Sequence, residues 1–61
     1  MEIYKVPENS RIKVIEEELN IKDELTLCEL YDMYCLCTKD NGDTVYLNSW
    51  VNVEIVKIKE K

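Results

Sequence analysis

Asn41-Gly42 sits between two segments whose residues alternate in the manner of β-strands. A two-residue type I′ turn needs positive φ at both central positions, and Asn-Gly meets that need at the lowest cost. No other dipeptide in the chain constrains the fold as strongly. With Asn41 and Gly42 as the turn, Asp40 faces Asp43, Thr38 faces Val45, Cys37 faces Tyr46 and Leu36 faces Leu47. If Asp32-Met33 forms a second two-residue turn, Tyr31 faces Tyr34, Glu29 faces Leu36 and Cys28 faces Cys37. Met is a poor residue for positive φ, so this second turn is the weaker of the two.

The remaining pattern extends the β reading. Ile3 to Val6 reads as a short strand or an extended arm stopped by Pro7, and Glu8-Asn9-Ser10 as turn material. Strands are expected at Arg11–Glu16, Glu24–Tyr31, Tyr34–Lys39, Thr44–Asn48 and Val51–Ile58, with a tight corner at Ser49-Trp50. Glu16 to Glu24 is short and acidic, with only Leu19 and Ile21 as anchors, and is expected to be a loop. Short strands with turns every eight to twelve residues suggest a small barrel or sandwich. The long loop after the first strand, the tight hairpin and the corner before the last strand match an SH3-like order. The fold expected is therefore all-β: one small five-stranded SH3-like barrel over residues 1–61, with a short N-terminal arm or strand.

Bulk properties narrow the function. A chain of 61 residues buries only about 60% of its unfolded surface, which leaves little room for a deep cavity beside a complete core. The apolar fraction of 46% fits a folded domain. No apolar run approaches the roughly 20 residues of a membrane span. Met1 to Lys5 has neither the basic nor the apolar region of a signal peptide, and three cysteines, an odd number, do not suggest a disulfide framework. A cytoplasmic protein with reduced thiols is expected. The net charge of −5, with Arg11 the single arginine and no His, disfavours phosphate-binding roles.

Alternation across the strands defines two faces. One carries Leu25, Leu27, Leu36, Val45 and Leu47, joined by Ile12, Val14, Val53 and Ile55, and reads as the core. The other carries Cys28, Leu30, Cys35, Cys37 and Tyr46, too apolar for an ordinary outer face. Either the strands bend sharply and draw some of these residues inside, or the face is a contact surface. Tyr31, Met33 and Tyr34 at a hairpin tip have the composition of a binding rim. Trp50 reads as a core plug, since tryptophan is largely buried on average.

Chemistry is thinly represented. Cys35-Leu36-Cys37 lacks zinc-knuckle spacing and no His completes a ligand set, so no metal or other cofactor is expected. Cys28 and Cys37 could reach disulfide distance, but a reducing compartment opposes the bond. The three thiols read as small buried hydrophobes. Without His the usual base near neutral pH is missing, and one glycine excludes a phosphate loop, so catalysis is not expected.

The run Leu30-Tyr31-Asp32-Met33-Tyr34-Cys35-Leu36-Cys37, then Asn41-Gly42, Val45-Tyr46-Leu47, Trp50 and Val53-Glu54, resembles small orphan proteins of bacteriophages. The resemblance covers residues 25–56 and implies an accessory phage protein in a bacterial cytosol; it implies no catalytic residues. Together these readings favour a non-catalytic module that binds a bacterial host protein. It would act through Leu30, Tyr31, Met33, Tyr34 and Tyr46, or through the acidic Glu16, Glu17 and Glu18 against a basic patch. The rival readings are a small-barrel nucleic-acid binder using Tyr34, Trp50, Arg11, Lys13, Lys57 and Lys59, and a homo-oligomeric structural protein.

Overall fold

A computed structural model describes residues 1–57. Five antiparallel strands form one sheet: β1 (Arg11–Val14), β2 (Glu24–Leu30), β3 (Tyr34–Thr38), β4 (Thr44–Asn48) and β5 (Val53–Lys57). Their order across the sheet is β4-β3-β2-β1-β5. The expected strands are all present, shortened at their ends, with β4 matching its expected bounds. Ile58, expected to end the last strand, and Lys59, one of the candidate nucleic-acid contacts, lie outside the described residues. Among the described residues no ladder joins β4 to β5, and no helix is long and apolar enough to cross a membrane.

The turn after β3 departs from the expected type. Gly42 has φ +94, but Asn41 does not enter the positive region. Gly42 donates its amide to the Lys39 carbonyl at 3.0 Å, and Lys39 donates to the Asp43 carbonyl at 2.8 Å. Three residues, not two, cross between the strands, and the glycine absorbs the extra one in a bulge. Asn41 Oδ1 accepts the Asp43 amide at 2.9 Å, an Asx turn that explains the asparagine without positive φ. The register slips by one: Thr38 faces Thr44, Cys37 faces Val45, Leu36 faces Tyr46 and Cys35 faces Leu47.

That slip reverses β3, because a one-residue shift moves every side chain to the other face. Cys35 and Cys37 are fully buried opposite Leu47 and Val45, while Leu36 stands outward beside Tyr46. The face left open between core and contact surface is thus core at Cys35 and Cys37, as expected of small buried thiols, and Cys28 is half-buried. β2 carries a second irregularity. Leu27 faces Cys37 and Glu29 faces Leu36, so Cys28 is an extra residue in a bulge. The phase of β2 changes there: Leu25 and Leu27 point inward before it and Leu30 packs on the core after it. Cys28 therefore does not face Cys37. The expected pairing of Tyr31 with Tyr34 does form, through the Tyr31 amide and the Tyr34 carbonyl at 2.9 Å.

The core is Ile3, Val6, Ile12, Val14, Leu25, Leu27, Cys35, Cys37, Leu47, Val51 and Val53. Each large member removed from water contributes about 1.5–3 kcal/mol. The N-terminal segment is neither a strand nor a loose arm. Glu2 makes an isolated bridge with Asn52, Ile3 donates to the Val51 carbonyl at 2.9 Å, and Ile3–Lys5 forms a 3₁₀ turn. Ile3 and Val6 thereby cover the core from below the sheet. A second 3₁₀ turn, Glu17–Leu19, sits in the expected acidic loop and closes at Asn20 with φ 53.

Two substitutions test this architecture. Ser10 is fully buried and its hydroxyl has no protein partner. An unsatisfied buried hydroxyl costs about 1–3 kcal/mol, so Ser10→Ala should raise the urea midpoint or leave it unchanged. A Cβ on Gly42 would meet no atom within 4 Å, so Gly42→Ala isolates the backbone penalty. It should destabilise by about 1 kcal/mol, and Gly42→Asn should cost less. Both are read by chemical denaturation.

Candidate functional site

The outer face of β2, β3 and β4 carries an aromatic cluster. Because Tyr31 is paired with Tyr34, and Leu36 with Tyr46, all four side chains leave the sheet on the side opposite the core. The Tyr31 and Tyr34 rings stack with centroids 4.8 Å apart and planes at 26°. Tyr34 and Tyr46 lie 5.9 Å apart, tilted by 58°. Such offset and tilted arrangements are the favoured ones for ring quadrupoles. Tyr46 is 65% exposed and Met33, at the tip, 63%.

The tip is held by the corner before β5. Ser49 donates its amide to the Met33 carbonyl at 3.1 Å. Its hydroxyl lies 3.4 Å from the Asp32 carbonyl and 3.5 Å from that of Tyr31. Buried Ser49 thus satisfies the Met33 carbonyl through its amide and lies against those of Tyr31 and Asp32 through its hydroxyl. Neither Asp32 nor Met33 has positive φ. Trp50, expected to plug the core, is 53% exposed. Its amide bonds to Asn48 Oδ1 at 3.0 Å, and the core position at this corner goes to Val51 instead.

One carboxylate is built into the cluster. The Tyr31 hydroxyl donates to Glu29 Oε2 at 2.5 Å. That bond, and the adjacent negative charge, push the Tyr31 phenol up to about 12. The phenol is therefore neutral at physiological pH and serves as a fixed donor. Glu8 adds another carboxylate nearby, its Oε2 accepting the Leu30 amide at 3.1 Å where β1 no longer reaches β2.

The expected site residues divide. Tyr31, Met33, Tyr34 and Tyr46 share one exposed surface. Leu30 does not join them; it packs against the core because of the phase change at Cys28. Leu36 is the member that sequence reasoning missed, although the spacing Leu25, Leu27, Leu30 already carries the change of phase. The acidic residues are elsewhere. Glu17 and Glu18 are exposed in the 3₁₀ turn, whereas Glu16 Oε2 accepts the Asn52 amide at 2.6 Å and acts as a structural clip. An open groove of about 500 Å³ runs between Lys13, Ile15, Glu17, Ile21 and Lys22.

Among the described residues Arg11, Lys39 and Lys5 are engaged in ion pairs. Arg11 donates to both oxygens of Asp40, at 2.8 and 2.7 Å, and through Nε to Glu24 at 2.5 Å. These bonds raise the guanidinium pKa and hold the Asp40 carboxyl below its ordinary value. Lys39 lies 3.7 Å from Asp23 and Lys5 3.4 Å from Glu2. Burial raises the pKa of Cys35, and pushes that of Cys37, beside Cys35, up to about 12. Protonated thiols in a dry core are poor nucleophiles. Cys28 lies 3.5 Å from the Thr38 hydroxyl. Among the described residues no three acidic or sulfur side chains converge as a metal site.

No protein-family model, curated protein or solved structure matches the chain significantly.

Spectrophotometric titration should show Tyr31 ionising near pH 12, and Glu29→Gln should bring it down toward the ordinary value of about 10. A raised folded pKa means that this contribution to stability is complete below pH about 10. It is lost as pH rises through the folded value of about 12. A Tyr31 titration unmoved by Glu29→Gln would refute the Glu29 bond.

Proposed function

We propose that this protein is a non-catalytic protein-binding module whose working surface is the tyrosine face of β2, β3 and β4. The single observation that carries the reading is the exposed stack of Tyr31, Tyr34 and Tyr46 on a rigid sheet. Tyrosine supplies large contact area at low entropic cost, and exposed aromatic clusters with a polar rim are characteristic of recognition surfaces. The architecture we favour is an SH3-like small barrel. The strand order, with β1 lying between β2 and β5, and the bulge at Cys28 support it. The resemblance over residues 25–56 points to an accessory bacteriophage protein, acting in the bacterial cytosol on a host protein. The acidic Glu17–Glu18 turn is a second contact that would mainly speed association with a basic partner.

The net charge of −5 and the internal ion pairs of Arg11 and Lys39 weigh against nucleic acid as the partner, since they reduce the positive charge open to phosphate. Tyr34→Ala and Tyr46→Ala should each abolish capture of a stoichiometric partner from nuclease-treated bacterial lysate, with the unfolding midpoint little changed. Capture that survives both substitutions would remove this face from the function. Recovery that vanishes with nuclease would turn the assignment to nucleic acid.

A further inference from the structure

Resting on that reading, we infer that the tyrosine face takes an arginine side chain from an extended basic segment of its partner, with the guanidinium stacked in the Tyr34–Tyr46 corner and Glu29 as its counter-charge. Tyr31 covers one side of the Tyr34 ring, at 4.8 Å. The tilt of 58° between Tyr34 and Tyr46 opens a corner on the other side, and both rings stand well out of the sheet. A cation over a tyrosine face is attracted by the ring quadrupole.

The charge around the corner selects the sign of the occupant. Glu29 reaches the cluster directly through the Tyr31 hydroxyl. That bond uses one carboxylate oxygen, Oε2, and leaves Oε1 to accept from a ligand. Asp32 follows at the tip, and Glu8 is tied to Leu30 next door. Arg11 and Lys39 pair with Asp40 and Asp23 at the other end of β3, and Lys5 pairs with Glu2. The other described basic side chains lie on other parts of the fold: Lys13 on β1, Lys22 in the β1–β2 connection and Lys57 at the end of β5. The chain as a whole carries −5. An anionic occupant would meet the carboxylates of Glu29 and Asp32, neither of which is in an ion pair among the described residues, and a neutral proline segment would leave Glu29 unused. Arginine suits the corner better than lysine because a planar guanidinium stacks on a ring and forks to a carboxylate at once.

The test is an NMR titration of the isotope-labelled full chain with short glycine-serine peptides bearing arginine, lysine, citrulline or proline at alternate positions. The arginine peptide should shift the amides of Tyr34, Leu36 and Tyr46. It should bind about 5-fold more tightly than its citrulline isostere. Glu29→Gln and Tyr34→Leu should each weaken it by a similar factor, and added salt should weaken it further. Equal binding of arginine and citrulline peptides overturns the inference, as do shifts confined to Glu17 and Glu18. If no arginine peptide binds while Tyr34→Ala still abolishes capture of a partner, the choice of arginine falls and the tyrosine face stands. If capture also survives Tyr34→Ala, the face itself falls.

Discussion

The extra residue at Cys28 interrupts the β2–β3 ladder, and the sides taken by the residues around it depend on that interruption. Strand side chains alternate with a period of two, so a strand cannot bury Leu25, Leu27 and Leu30 on one side without a break in phase. The bulge supplies the break. It places Leu30 on the core and turns Glu29 and Tyr31 outward, where they meet Tyr34 and Leu36. Bulges also increase local twist, which helps a short sheet wrap its inner face around a small core. Without the extra residue, Tyr31 would point inward and Leu30 would lie among the tyrosines.

The segment Ser49–Val53 joins three parts of the chain that are distant in sequence. The N-terminus runs along it, with the Met1 carbonyl accepting the Val53 amide at 2.8 Å. The end of β1 meets it through Ile15, whose amide bonds to the Asn52 carbonyl at 3.1 Å, and through the Glu16 carboxylate. The tyrosine tip is tied to it by Ser49. Long-range bonds of this kind hold an exposed hairpin in one conformation, so the aromatic corner enters binding with little ordering left to do. They also separate the roles of the acidic residues: Glu16 is part of the scaffold, and Glu17 and Glu18 are surface.

Much of this was legible in the sequence. The five strands, the extended acidic connection and the exposure of Tyr31, Met33 and Tyr34 follow from alternation and turn chemistry. The Asn41-Gly42 pair marked the hairpin correctly but not its loop length, because Asn-Gly also suits a type I turn followed by a glycine bulge. That ambiguity of one residue reassigned Leu36, Cys35 and Cys37 between the faces. A second cue pointed the right way: cysteine is among the most frequently buried residues, which favours Cys35 and Cys37 inside over Leu36. Trp50 was misread for a different reason. Val51 is smaller and follows directly, and the corner has space inside for one of the two. Composition alone does not say which one turns inward.

The distribution of charge gives the outer face its chemical character. Arg11, at the start of β1, reaches across β2 to the β3–β4 turn, and Glu24 and Asp40 converge on it from two elements. Exposed ion pairs of this sort add little to stability. Their consequence is that cations are gathered at one end of β3. At the other end, Glu29 and Asp32 stand among tyrosines with no lysine or arginine paired to them among the described residues. An aromatic surface edged only by carboxylates attracts basic segments and repels acidic ones, so the same residues that favour one class of partner exclude another. The neutral phenol of Tyr31 keeps the Glu29 carboxylate in place without cancelling its charge. A positive side chain at Tyr34 and Tyr46 would therefore find ring faces and a carboxylate held beside them, with the nearest hairpin cation, Lys39, at the far end of β3.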